Sequence, residues 1–343
     1  MANRKSAFGA NPAPLMYVAK FAEGKWQDGN IQAFGDITLS PFAMCFHYGQ
    51  TIFEGLKAFR SADDQILIFR QGDNYKRLNK SLERMAMPPL PRHFWEEGIL
   101  SLVSRLEAVV PPFQEGNLYL RPFVIATQAK LGVEASNEYL FIVVASPSAA
   151  YYNDALRVKV ERHYTRAAPG GAGYAKCGGN YGGALLPFRK AMEEGFDQIL
   201  WTDAHSHELF EESGTMNLGF IIDGTFITPP ASDTILDGIT RWSVIQLAKD
   251  LGIRVEERPF SVSELKDAFA KKQKVEAFGI GTAASIAPFK SISIDGVNYT
   301  CYHAADAQLY QLKSLLQGIQ MGKITDSYGW NTVVGQAALA KAI

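Results

Sequence analysis

Cysteine is scarce in this chain, with three thiols (Cys45, Cys177 and Cys301) among 343 residues. An odd count without metal-ligand spacing argues against a disulfide framework, offers no metal site and fits a reducing compartment. Long blocks of one charge are missing too. The 34 basic and 35 acidic residues nearly cancel, to a net charge of −1, so neither nucleic acid nor an anionic membrane surface is an expected partner. There is no apolar run of roughly eighteen residues to span a bilayer. The opening Met1-Ala2-Asn3-Arg4-Lys5 carries no signal-peptide pattern, and no segment repeats. These absences leave a cytoplasmic protein as the expectation. What is present is ordinary globular material, 47% hydrophobic and 20% charged, with 12% aromatic residues that can wall a small-molecule site. The length exceeds what one core usually serves, which predicts two domains.

Periodicity sketches a mixed α/β chain. Residues 53–60 and 65–70 read as a hairpin around Ser61-Ala62-Asp63-Asp64. A helix is expected over 73–87, capped by Asp73 and stopped by Pro88 and Pro89, and a second over 95–109. Strands are expected at 118–125, 139–145 and 156–160. Residues 166–173, rich in Gly, Ala and Pro, have the composition of a linker. The boundaries expected are a smaller domain over 1–163, a linker at 164–173 and a larger cofactor-binding domain over 174–343. In that second part the pattern gives a helix near 182–194 and a strand at 198–203. A hairpin over 217–228 turns at Asp223-Gly224, and a helix covers 240–251. Ser261 and Glu264 have capping-box spacing, and a strand at 275–280 and a helix at 304–318 follow.

Four stretches could carry chemistry. In Gly173-Tyr174-Ala175-Lys176-Cys177-Gly178-Gly179-Asn180-Tyr181-Gly182-Gly183 a lone lysine stands among five glycines. Backbone there can approach a planar ligand closely, and a desolvated lysine is a nucleophilic amine. A solvated lysine in a surface loop explains the same stretch equally well. Asp237-Gly238-Ile239-Thr240-Arg241 opens a helix, where free N–H groups attract anions. An ordinary cap by Asp237 or Thr240 is the simpler account. Gly279-Ile280-Gly281-Thr282-Ala283-Ala284 is a similar strand-to-turn junction. In Glu211-Glu212-Ser213-Gly214-Thr215-Met216-Asn217, Glu211 reads as a solvated turn residue, and Glu212 would matter if it faced a ring nitrogen.

In this order, and with Phe53-Glu54-Gly55-Leu56-Lys57-Ala58-Phe59 upstream, these motifs closely resemble the branched-chain aminotransferases over about 8–334. The resemblance implies the two-domain D-amino-acid-aminotransferase-like fold (fold type IV), pyridoxal 5′-phosphate as cofactor, and a homodimer. It implies transfer of the amino group between leucine, isoleucine or valine and 2-oxoglutarate. Lys176 would hold the cofactor as an imine and move the proton. Tyr181 would bond the phenolic oxygen and Glu212 the pyridine nitrogen. Arg77, Ile239, Thr240 and Thr282 would hold the phosphate. Backbone N–H groups at Thr282 and Ala283 would receive the α-carboxylate. Tyr48, Phe53 and Tyr119 would wall the side-chain pocket, and Arg121 would meet the glutamate γ-carboxylate. An arginine in so apolar a strand is expected to need an acidic partner. The chain departs from some animal members in having Ala284-Ser285-Ile286-Ala287 where they carry a thiol pair, so no redox switch is expected. Rivals are a D-amino-acid or (R)-amine transaminase, an aminodeoxychorismate lyase, and a non-catalytic binding protein.

Overall fold

Ten residues, Asn117–Ala126, form the strand around which the first of two nine-stranded sheets is assembled. The structure, a computed structural model, describes residues 8–148 and 154–335. It divides into two compact units, one of Met1–Tyr151, Ala175–Gly179 and Gly318–Ile343, the other of Tyr152–Tyr174 and Asn180–Gln317.

The first unit supplies β1 (Leu15–Ala22), β2 (Lys25–Trp26), β3 (Asn30–Ala33), β4 (Thr51–Phe53), β5 (Leu56–Arg60), β6 (Ile66–Phe69), β7 (Asn117–Ala126) and β8 (Tyr139–Ser148). Its helices are α1 (Met44–Tyr48), α2 (Gln71–Arg84), α3 (Arg92–Glu96) and α4 (Leu102–Arg105). The sheet runs β6-β5-β7-β8-β1-β2, with β3 beside β1 and β4 beside β7. Both β4 and β5 pair with β7, and the chain breaks between them at Glu54-Gly55. That break needs glycine: a Cβ on Gly55 would lie 2.1 Å from the Tyr119 hydroxyl. The period of two in β7 puts Tyr119, Arg121 and Phe123 on one face, and Phe53 pairs with Phe123.

Two helix expectations change. Asp73 does not cap α2. The cap position is Arg70, in a left-handed conformation, and Asp73 ion-pairs its Nε at 2.8 Å. The helix expected over 95–109 is divided into α3, a π-turn (Glu97–Ser101), α4 and a short 3₁₀ turn. Gly98 explains the division: a Cβ there would press Tyr17, Val143 and Phe141 at 3.0–3.2 Å. The helix backbone therefore lies close on the sheet, and the π-turn absorbs the extra residue.

The second unit holds β9 (Leu156–Val160), β10 (Gln198–Thr202), β11 (Phe210–Ser213), β12 (Met216–Ile222), β13 (Thr225–Thr228), β14 (Arg254–Glu257), β15 (Val275–Gly281), β16 (Ser285–Ile294) and β17 (Val297–Thr300). Its helices are α5 (Gly179–Gly182), α6 (Leu185–Glu193), α7 (Ile239–Asp250) and α8 (Val262–Ala270). After α9 (Gln308–Gln320) the chain rejoins the first sheet as β18 (Asn331–Val333), beside β6. The order β11-β10-β9-β16-β15-β12 returns to β11, so six strands close into a ring. Inside the unit Phe210, Phe220 and Phe260 pack with ring centroids 4.7–5.8 Å apart. Burying each such ring contributes roughly 1.5–3 kcal/mol. Ser261 caps α8, accepting the Glu264 N–H at 2.9 Å. Among the described residues no helix is long and apolar enough to cross a membrane.

Candidate active site

In the first unit Lys176 rides on a short extended segment laid along β4. The Phe53 N–H donates to the Lys176 carbonyl at 2.9 Å, and the Gly178 N–H to Thr51 at 3.2 Å. The Lys176 N–H donates to Ser81 Oγ at 3.0 Å, and that hydroxyl donates to the Arg77 carbonyl at 3.0 Å. Two hydrogen bonds thus fix the backbone of the lysine and a third holds Gly178 beside it, while its amine sits 4.8 Å from the centre of the Phe53 ring. Cys177 is buried packing, as its size suggests.

Arg121 shares that ring. Its guanidinium carbon lies 4.7 Å from the Phe53 centroid and 5.4 Å from that of Tyr119, and Nη2 donates to the Tyr119 hydroxyl at 3.1 Å. The expected acidic partner is replaced by aromatic faces, which can hold a cation through their quadrupoles. Its Nε is buried without a hydrogen bond. Tyr48 is 38% exposed at the end of α1, with its hydroxyl donating to the Leu131 carbonyl. Arg77 is buried in a fork to Glu54, Nε to Oε1 at 2.8 Å and Nη2 to Oε2 at 2.9 Å. Burial acts to raise the Glu54 carboxyl, but Arg77, the charge of Lys176 and the Asn74 amide outweigh it and hold it below the usual carboxylate range. Sequence reasoning gave Glu54 no role. A carboxylate directly before a tight Gly turn and an apolar strand was the available signal.

In the second unit Glu212 is 3% exposed on β11. It accepts the Leu236 N–H at Oε1, 2.7 Å away. Glu211 was expected in a solvated turn but is 6% exposed in the same strand, because β11 pairs on both sides, with β10 and β12. Burial pushes its carboxyl up to about 7, helped by the charge of Glu212 and opposed by a Thr234 hydrogen bond and by Arg166. Ile239 and Thr240 form the buried first turn of α7. Gly238 is the N-cap and has no side chain with which to cover the N–H groups. A Cβ there would meet Asn217 Oδ1 at 1.7 Å. The Trp242 indole N–H donates to Asp237 Oδ1. A helix start with glycine at its cap position suits an anion. Thr282 and Ala283 lie half-buried in the turn joining β15 to β16, and Tyr181 is half-buried in α5. In the second unit a desolvated carboxylate suits a protonated ring nitrogen and a glycine-capped helix start suits a phosphate; in the first an amine lies on an aromatic wall; each suits a part of pyridoxal phosphate chemically.

Comparison with known proteins decides the family. The model described as "Amino-transferase class IV" matches residues 51–292. The branched-chain-amino-acid transaminase 1 of Bacillus subtilis (strain 168) is 42% identical over 336 residues, covering 95% of this chain and 94% of that protein. The chain belongs to the class IV aminotransferases.

Solved structures of this class agree in fold. The Escherichia coli branched-chain amino acid aminotransferase superposes with a TM-score of 0.76 at 26% identity, covering 93% of this chain and 99% of that one. The branched-chain amino acid aminotransferase of Thermobaculum terrenum, solved in its PLP-form, gives a TM-score of 0.76 at 24% identity, over 95% of this chain and 99% of that one. The mixed α/β architecture is therefore the class IV, fold type IV one. Within that fold the sequence missed Ser81 and Arg166 as well as Glu54. Ser81 gives no signal at all, while Arg166 was visible as a charge in a stretch otherwise rich in Gly, Ala and Pro.

Proposed function

We propose that this chain is a pyridoxal-phosphate transaminase moving the amino group between leucine, isoleucine or valine and 2-oxoglutarate. One observation carries the substrate reading: Lys176 Nζ and the Arg121 guanidinium lie 4.8 and 4.7 Å from the centre of the same Phe53 ring. An uncharged branched side chain can lie on that wall, and a glutamate carboxylate can reach the cation beside it. The B. subtilis relative, named for branched-chain amino acids, supports the same reading. The D-amino-acid, (R)-amine and aminodeoxychorismate alternatives are not favoured, and a binding protein without catalysis would not need the reactive lysine.

Bound pyridoxal phosphate supplies an electron-withdrawing ring that stabilises negative charge at the substrate Cα. The chain supplies the rest. Lys176 is the nucleophile and the base that carries the Cα proton. Glu212 would meet the ring nitrogen and Tyr181 the phenolic oxygen. Arg77, Ile239, Thr240 and Thr282 would hold the phosphate, with Glu54 orienting Arg77. Thr282 and Ala283 offer N–H groups to the α-carboxylate, and Tyr48, Phe53 and Tyr119 line the side-chain pocket. We place the enzyme in the cytoplasm as a homodimer. Three free thiols and an exposed apolar cluster on the first unit support those two assignments.

The experiment is a pair of half-reactions, with leucine and with glutamate, on wild type and Arg121→Met. Borohydride should fix the cofactor on Lys176 in both proteins. Loss of the cation should raise the apparent KM for glutamate and 2-oxoglutarate by the equivalent of roughly 2–5 kcal/mol, a desolvated carboxylate left unpaired. Leucine should change only a few-fold. Equal losses for both substrates would make Arg121 a structural residue and refute the shared-wall assignment.

A further inference from the structure

The second unit contains a buried cation that the proposed reaction does not use. The Arg166 side chain is 7% exposed and that of Glu212 is 4%, with Nε 3.2 Å from Oε2. The contact is an ion pair rather than an aligned hydrogen bond. The Nη2 of Arg166 donates to the carbonyls of Gly173, at 3.2 Å, and Thr234. One guanidinium therefore joins three chain segments: the strand carrying Glu212, the loop leading in sequence toward Lys176, and the loop leading into α7. Glu212 is held on its other oxygen by the Leu236 N–H, in that same loop before α7. The charge of Arg166 also opposes the burial-driven rise of the Glu211 carboxyl, so it bears on both neighbouring acids.

A buried carboxylate without a cation is strongly disfavoured and neutralises or turns away. Glu212 can face a ring nitrogen with one orientation and full charge only if something else balances and fixes it when no cofactor is present. We infer that Arg166 is the positioning residue for Glu212: it compensates the carboxylate in the empty site and aims it at the ring nitrogen. This deepens the assignment of Glu212 made above and rests on it. Arg166 touches neither substrate nor cofactor in this role and acts only through the acid.

Acting through one partner has a measurable signature, non-additivity. The proteins compared are Arg166→Met, Glu212→Gln and the double variant. Two readouts are taken, the dissociation constant for pyridoxal phosphate and the melting temperature of the cofactor-free protein, and the leucine half-reaction rate is recorded beside them. Arg166→Met alone should weaken cofactor binding about tenfold or more and lower the melting temperature by several degrees, because Glu212 is left uncompensated. In the Glu212→Gln background the same change should cost about threefold or less in affinity, and the double variant should melt above Arg166→Met. A purely structural staple through the Gly173 and Thr234 carbonyls would give equal losses in both backgrounds and no thermal rescue, which overturns the inference. If Arg166→Met does not fold, Arg166→Lys, which keeps the charge but loses the fork, is carried through the same cycle, where coupled losses support the inference and equal losses overturn it. The assignment of Glu212 is tested separately. Glu212→Gln should slow the half-reaction about a hundredfold, and unchanged activity in that variant overturns both the assignment and the inference.

Discussion

Glu211 and Glu212 are adjacent on one strand, yet their surroundings assign them different work. Glu212 has Arg166 at 3.2 Å, whereas Glu211 is buried with its carboxyl pushed up to about 7 from an ordinary 4.5. The groups that bear on it are Thr234, Arg166, Glu212 and Asp203. Between pH 4.5 and 7 the folded chain keeps a proton that the unfolded chain has released, so stability present at low pH is lost as pH rises through 7. Glu211→Gln should remove this dependence. Its stability relative to wild type should improve by roughly 1–2 kcal/mol between pH 5 and 8, after allowance for solvent screening. Urea midpoints of both proteins at the two pH values check it, and parallel curves would mean that Glu211 does not titrate there. The residue types of the chemistry were legible in the sequence, because motifs preserve them. Their neighbours were not. A carboxylate beside Ser-Gly-Thr reads as a turn, and its burial depends on β10 and β12 closing over it. Likewise the partner of Arg121 was predictable as something, but that it would be two aromatic faces follows only from the pairing of β4 and β5 with β7.

At the scale of elements, local signals held where one or two residues decide the structure. The Asp223-Gly224 turn and the Ser261 cap formed as expected, both set by neighbouring residues. They failed where a distant surface decides. The π-turn at Gly98 answers to Tyr17 and Val143, and no strand was expected where β16 runs. There β9 joins that strand only from Phe289 onward. The start of α7 combines both kinds of control. Gly238 has φ −76°, which alanine adopts freely, so the demand for glycine there is purely steric. Asn217 Oδ1 fills the space of a Cβ while its amide donates to the Leu236 carbonyl at 2.8 Å. Gly238→Ala must displace Asn217, break that bond and move the first turn. The expected cost is about 1–3 kcal/mol in the cofactor-free protein, with phosphate-dependent cofactor affinity reduced about tenfold. Adding Asn217→Ala should recover much of the stability by clearing the clash. Wild-type melting and affinity in Gly238→Ala would show that the helix start is not a tight cradle.

For the whole molecule, many individual strands were within reach of the sequence but the closure of the ring was not. The ring closes through two parallel pairings of β9, with β10 and β16, and the pairing with β16 joins residues more than a hundred positions apart. No local pattern encodes such a partner. The same holds for quaternary structure, which leaves its trace in what the fold fails to cover. Val133 is 88% exposed, Phe46 61%, Phe42 52% and Leu131 50%. They belong to two segments tied together in the first unit. The Lys130 N–H donates to the Phe42 carbonyl at 3.0 Å, and the Tyr48 hydroxyl donates to Leu131. Contiguous exposed apolar surface of this kind marks an association site, and a second copy of the chain is the occupant implied by the proposed homodimer. Sedimentation equilibrium at micromolar concentration should therefore return twice the chain mass of 37.8 kDa. Val133→Glu with Phe46→Glu places two charges in the centre of the cluster, where desolvating them costs more than the contact returns. That variant should sediment as a monomer and keep a wild-type circular dichroism spectrum. A wild-type protein that sediments at the mass of one chain removes the homodimer, and a dimer that survives both charges moves its interface away from this cluster.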